Sequence, residues 1–218
     1  MLLNTVVPST GPLITAVGLS GLLLSEYARS KPGVWLTKPL ASLGFLYTAY
    51  HSPAAATSFG KTVLAALGLS FLGDVFLIPD NPTTFQAGLF SFLLGHVGFA
   101  LAFFNSGPLD PQLTIAAAAG EAVLGGLVWK WLSPYLPQAD RIPVALYTTV
   151  ISAMTVLAIG SSKTSPVPWE QIAGAIIFQL SDLCVARNQF VTRDLWNGLI
   201  GLPLYFFAQQ TIASLLWA

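Results

Sequence analysis

Apolar residues fill eight stretches of this chain: Gly11–Ser25, Leu36–Tyr50, Thr62–Ile78, Phe85–Phe104, Gln112–Leu132, Ile142–Ile159, Gln171–Ala186 and Leu195–Trp217. Between them run short segments rich in Pro, Gly, Asn and charge, such as SKPG, PDNPTT, NSGPLDP and SPYLPQADR. Apolar runs bounded by turn residues predict helices. A helix crosses a bilayer with about 20 such residues. The first run is short for this unless it begins nearer Leu3. No lipid-facing strand pattern is present, and an open sheet leaves its backbone unpaired in hydrocarbon. The pattern predicts an all-α, polytopic membrane bundle of about eight transmembrane helices.

Composition sharpens this. The chain has 218 residues, 54% hydrophobic and only 8% charged, against about 25% charged in a soluble domain. A water-soluble globule is excluded. Nine basic and nine acidic residues cancel, which leaves no basic surface for nucleic acid. The length fits one transmembrane domain over residues 1–218, with no room for a separate soluble unit. No Lys or Arg precedes the first apolar run, so a retained helix is expected there rather than a signal peptide. Cys184 is the only cysteine, which excludes an internal disulfide. With two histidines beside it, neither a metal site nor a cofactor is expected.

Lys and Arg set the orientation. The odd-numbered loops hold Arg29, Lys31, Lys130, Arg141, Arg187 and Arg193, with Lys38 on the same side; the even-numbered loops hold only Lys61 and Lys163. The odd loops are therefore expected in the cytosol and both termini on the non-cytosolic side. Small residues four apart predict close helix packing: Ser91 with Gly95, Gly98 with Ala102, and Ala116 with Gly120. Trp35, Trp129, Trp131, Trp196 and Trp217 fall near span ends, where indole rings sit at the interface.

Ionisable groups in hydrocarbon are costly and turn toward the bundle interior. Asp74 and Asp182 each lie about four residues before the cytosolic end of a span, in helices 3 and 7. Lys38, before Pro39, suits a first helical turn, and Arg187 closes helix 7. At 1.5 Å rise per residue, these four converge in depth. A structural ion pair accounts for such aspartates as readily as a site does, and a snorkelling lysine or a topology-setting arginine accounts for the cations. His96 and Glu121 fall nearer mid-span, Glu121 without an evident partner. Tyr205 and Gln209, at i and i+4, share one face of helix 8. His51 and Asp80 fall in loops. Pro203 stands inside helix 8, where it could break the helix.

Several segments, in order, resemble the lysoplasmalogenase family of YhhN-like integral membrane proteins. These are TKPL at Thr37–Leu40, FLGDVFL at Phe71–Leu77, GLFSFLLGHVGFAL at Gly88–Leu101, VALYTTVISAM at Val144–Met154, GAIIFQLSDLCVA at Gly174–Ala186 and YFFAQQTI at Tyr205–Ile212. Phe99 departs from the pattern, since relatives often carry Tyr after the Gly-His. The resemblance implies hydrolysis of the vinyl ether of lysoplasmalogens to a fatty aldehyde and a glycerophospho-headgroup, with Asp74 and Asp182 as the catalytic pair. Lys38 or Arg187 would bind the phosphate, and His96, Tyr205 and Gln209 would complete the substrate site. It further implies a lysophospholipid substrate, no cofactor, the endoplasmic reticulum in a eukaryotic host or the inner membrane in a bacterial one, and allows a homodimer.

The chemistry suits two carboxyls. Vinyl ether hydrolysis begins by protonating the β carbon, and the resulting oxocarbenium needs an anion nearby. Three other readings compete. An intramembrane aspartyl protease would need Gly where Phe71 stands. A proton-coupled transporter could use the same buried acids as a relay. A lipid-binding scaffold would use its polar residues only to hold helices together.

Overall fold

The structure, a computed structural model, describes residues 8–218. The start of the chain toward Leu3, where an earlier beginning of helix 1 was considered, lies outside the described residues. Among those described there are eight α-helices and no strands: α1 (Thr10–Tyr27), α2 (Lys31–Tyr50), α3 (Ser58–Phe76), α4 (Pro82–Asn105), α5 (Pro111–Leu132), α6 (Arg141–Gly160), α7 (Pro168–Ala186) and α8 (Leu195–Ser214). Five of these, α3, α4, α5, α6 and α8, are long and apolar enough to cross a membrane.

Local chemistry sets the starts. The side chains of Ser30, Thr57, Asn81, Asp110 and Asp194 each accept a hydrogen bond from the backbone N–H three residues on, at Gly33, Gly60, Thr84, Leu113 and Asn197. Such caps satisfy donors that the first turn leaves free. Pro32, Pro82, Pro111 and Pro168 stand in first turns, where a missing N–H costs nothing.

These caps move several expected boundaries: α3 starts at Ser58 rather than Thr62, and α4 at Pro82 rather than Phe85. Helix 2 was expected from Leu36; the Ser30 cap and Pro32 start it at Lys31. Lys38 therefore does not open α2 but sits two turns inside it, with Pro39 in the helix interior. Pro203 likewise leaves α8 unbroken from Leu195 to Ser214.

Close backbone approach joins α1 to α2 and α3 to α4. A Cβ on Gly18 would meet the Ala41 backbone nitrogen, and one on Gly98 would lie 2.9 Å from the Ala66 Cβ. Ser91 Oγ adds a 2.6 Å bond to the Leu69 carbonyl. The expected Ala116–Gly120 seam does not form among the described residues: both are exposed, and nothing lies within 4 Å of a Cβ at Gly120. The helix α5 rests on α6 alone over much of its length and turns this small-residue face outward. The principal core runs through Phe45, Phe99, Phe103, Met154, Phe178 and Phe206, all fully buried. The start of α1 and the end of α8 lie at one end of the bundle, where Trp217 Nε1 donates to the Thr48 carbonyl at 2.9 Å and a Cβ on Gly11 would meet Thr48 Oγ1.

Candidate active site

Asp74 stands in the last turn of α3, 2% exposed. Gly73 beside it has no side chain because Phe92 of α4 packs there; a Cβ would lie 2.6 Å from the ring. Three donors converge on the carboxylate. Ser42 Oγ of α2 donates to Oδ2 at 2.7 Å, and the Tyr205 hydroxyl of α8 donates to the same oxygen at 2.6 Å. Lys38 Nζ lies 3.5 Å from Oδ1. Gln209 Nε2 donates to the Tyr205 hydroxyl oxygen at 3.2 Å, which leaves that hydroxyl's own proton for Asp74. The expected i, i+4 face of α8 thus works as a relay from Gln209 to Tyr205 to Asp74.

Asp182, one turn before the end of α7, has a sparser surrounding. The Tyr147 hydroxyl of α6 donates to its Oδ2 at 2.6 Å. His96 Nε2 of α4 lies 3.7 Å from the same oxygen, beyond a hydrogen bond. The other ring nitrogen, Nδ1, is 2.8 Å from the Phe92 carbonyl and can only donate to it. Nε2 is buried with no partner of its own.

The two carboxyl groups open on one cavity of about 1050 Å³, lined also by Lys38, Phe92, Tyr147 and Tyr205. Aromatic rings pack against the partners of the two acids. Tyr205 meets Phe92 edge-on at 5.8 Å and Phe178 at 5.6 Å, and Phe178 lies 4.4 Å from the His96 ring. His96 and Gln209 do not reach the cavity; they stand behind its wall, 1% and 0% exposed.

The cations divide by partner. Arg187 does not line the cavity: it is held by Asp194 at 2.8 Å and by Asn197 Oδ1 at 2.6 Å, across the joint between α7 and α8. Its guanidinium holds the Asp194 carboxyl below the usual carboxylate range. Asp80 is exposed, as its loop position implied, and pairs with Arg193 at 2.8 Å. Arg29 and Lys31 line the mouth of the cavity and have no ion-pair partner among the described residues. Arg29 also holds a left-handed backbone, φ 53°.

Sequence reasoning overlooked several partners. Ser42 lies one turn after Lys38, so the i, i+4 spacing alone could have found it. Tyr147 stood inside a quoted segment without a role. Glu121 does have a partner: Gln179 Nε2 donates to its Oε2 at 2.7 Å, while Thr155 Oγ1 donates to Gln179 Oε1 at 3.0 Å.

The sequence as a whole is similar to known proteins. The YhhN family model matches residues 33–216. The chain belongs to the YhhN family. Its curated relatives include "Lysoplasmalogenase TMEM86A" of Homo sapiens and the Bos taurus protein of the same name. Each is 29% identical over 185 residues, covering 83% of this chain and 72% of the relative. No solved structure matches the chain. The family match takes in all the polar residues of both aspartate surroundings.

Proposed function

We propose that this YhhN-family protein is a membrane hydrolase that cleaves the vinyl ether bond of lysoplasmalogens. In this reading all eight helices span the bilayer as one domain, with both termini on the non-cytosolic side and the cavity mouth at the cytosolic face. One observation carries the proposal: two buried carboxyl groups, each held by a tyrosine hydroxyl, open on a single cavity that is charged at its mouth and apolar further in. The relatives' printed name supplies the substrate class.

The two surroundings suggest different roles. Three donors, one of them a lysine, favour Asp74 as the anion, since donors to a carboxylate stabilise its charged form. Asp182 has one donor and faces the bare Nε2 of His96. Two lone pairs at that distance repel, so a proton belongs between them, and Asp182 is the group that can pass it to substrate. Asp182 delivers this proton to the β carbon of the alkenyl chain. The positive charge develops on the ether oxygen and its adjacent carbon, where the Asp74 carboxylate stabilises it. Water adds to that carbon and returns a proton to Asp182. The hemiacetal then collapses: the bond from carbon to glycerol oxygen breaks, the hydroxyl proton passes to that oxygen, and a fatty aldehyde leaves. Lys38 reaches the phosphate from the Asp74 side, with Arg29 and Lys31 at the mouth. Arg187, engaged by Asp194, braces the joint that carries Asp182.

The test is aldehyde release by purified protein from lysoplasmenyl-ethanolamine, with an ester lysophospholipid as control. In deuterium oxide the aldehyde should carry one deuterium on the carbon next to the carbonyl. Fatty-acid release from the ester substrate at a comparable rate, or aldehyde without that label, contradicts the proposal.

A further inference from the structure

The cavity has a second arm that neither aspartate surrounding uses. Beyond Asp182 it runs between α5, α6 and α7, lined by Leu124, Gly125 and Val128 of α5, Thr148 and Ile151 of α6, and Gln179 of α7. Between Leu132 and Leu124, both on its wall, α5 rises about 12 Å. The cytosolic end is closed by the apolar cluster of Leu132, Leu136 and Val144, against which Phe190 packs. At the deep end Gln179 is bonded on one side to Thr155 and on the other to Glu121. That bridge ties α7 to α5, so each polar atom of the Gln179 amide has a partner outside the arm. An apolar arm leading away from a charged mouth sorts an amphipathic molecule by its two ends.

The geometry points to this arm as the seat of the headgroup-proximal part of a single aliphatic chain, placed so that the chain passes Asp182 and runs toward the Gln179–Glu121 bridge. The inference rests on the proposed lysoplasmalogen reading for the chain's identity, but its test does not depend on turnover. Gly125 supplies the lever. It faces the arm, and the nearest atom to a Cβ there is Thr148 Cγ2 at 4.0 Å, so a larger side chain fits on the helix and projects into the space the chain would fill. Gly126, its neighbour, is exposed and has nothing within 4 Å of a Cβ. A substitution there adds the same atoms to the same helix without touching the arm.

The experiment measures binding of saturated 1-O-alkyl lysophosphocholines, which have no vinyl ether, to wild type, Gly125→Leu and Gly126→Leu in detergent micelles. Butyl, hexyl and decyl chains give the length series, since about ten extended carbons already reach the length of the arm. Each methylene denied burial costs about fourfold in affinity. Gly125→Leu should therefore bind the decyl ligand at least about tenfold more weakly than wild type does, with a smaller loss for butyl. Gly126→Leu should match wild type throughout. Equal length dependence in wild type and a folded Gly125→Leu places the chain elsewhere and overturns the inference, whether or not the enzyme releases aldehyde. Should Gly125→Leu fail to fold, Val128→Phe is the second variant, read the same way. Normal binding with no aldehyde from lysoplasmenyl substrates would sink the proposed reaction and leave the arm standing.

Discussion

A single oxygen of Asp74 accepts from both Ser42 and Tyr205, while Lys38 approaches the other. Removing one partner of a buried ion pair leaves an uncompensated charge, at about 3–5 kcal/mol. Lys38→Met should lower stability by that order in chemical denaturation, and the double change with Asp74→Asn should recover part of the loss. Additive losses would mean the two side chains do not interact. Tyr147→Phe and Tyr205→Phe should part company. A lost hydrogen bond to a charged group is worth about 1.5–3 kcal/mol, so Tyr205→Phe should cut kcat roughly tenfold or more if Asp74 works as an anion. Tyr147→Phe frees Asp182 from its one donor and should change kcat less; equal losses would remove the distinction in roles. Both aspartates were legible in the sequence because charge is so scarce in these spans. The roles proposed for them were not, since that proposal depends on Ser42, Tyr147 and Tyr205, neutral residues that composition does not single out.

Among the helices, all eight were legible to within about five residues, but the Thr57 and Asn81 caps start α3 and α4 ahead of the expected Thr62 and Phe85. The α2 start was missed because Lys31 and Lys38 made its first two turns look like loop, although Ser30 and Pro32 mark the start plainly in hindsight. The small-residue rule worked for Gly98 on α4 and failed for Gly120 on α5, because spacing says that a face is small but not what covers it. This contrast is testable: Gly18→Leu forces a side chain into the Ala41 backbone and should cost at least about 1–3 kcal/mol, whereas Gly120→Leu should leave the unfolding midpoint unchanged. The joint between α7 and α8 carries a pH dependence. Arg187 depresses the Asp194 carboxyl, so the pair contributes stability above the unfolded aspartate value of about 3.9 and loses it as pH falls through the lower folded value. Thermal melts should show an acid-side loss of midpoint that Asp194→Asn reduces, with the variant slightly less stable at neutral pH. An identical acid limb in the variant would assign that loss to other groups.

At the scale of the whole molecule, both membrane aspartates open on the cavity, while Glu121 and Gln209 are held by side-chain hydrogen bonds outside it. The charged mouth, the two acids with their tyrosines, and the apolar arm follow one another along one path, which is the order of headgroup, vinyl ether and chain in a lysoplasmalogen. Its most direct test is aldehyde release from lysoplasmenyl-ethanolamine by wild type, Asp74→Asn and Asp182→Asn, each checked for folding by its melting curve. Wild type should turn over, and both folded variants should lose at least about a hundredfold in kcat. Turnover within a few-fold of wild type in either folded variant would contradict the paired-carboxyl account.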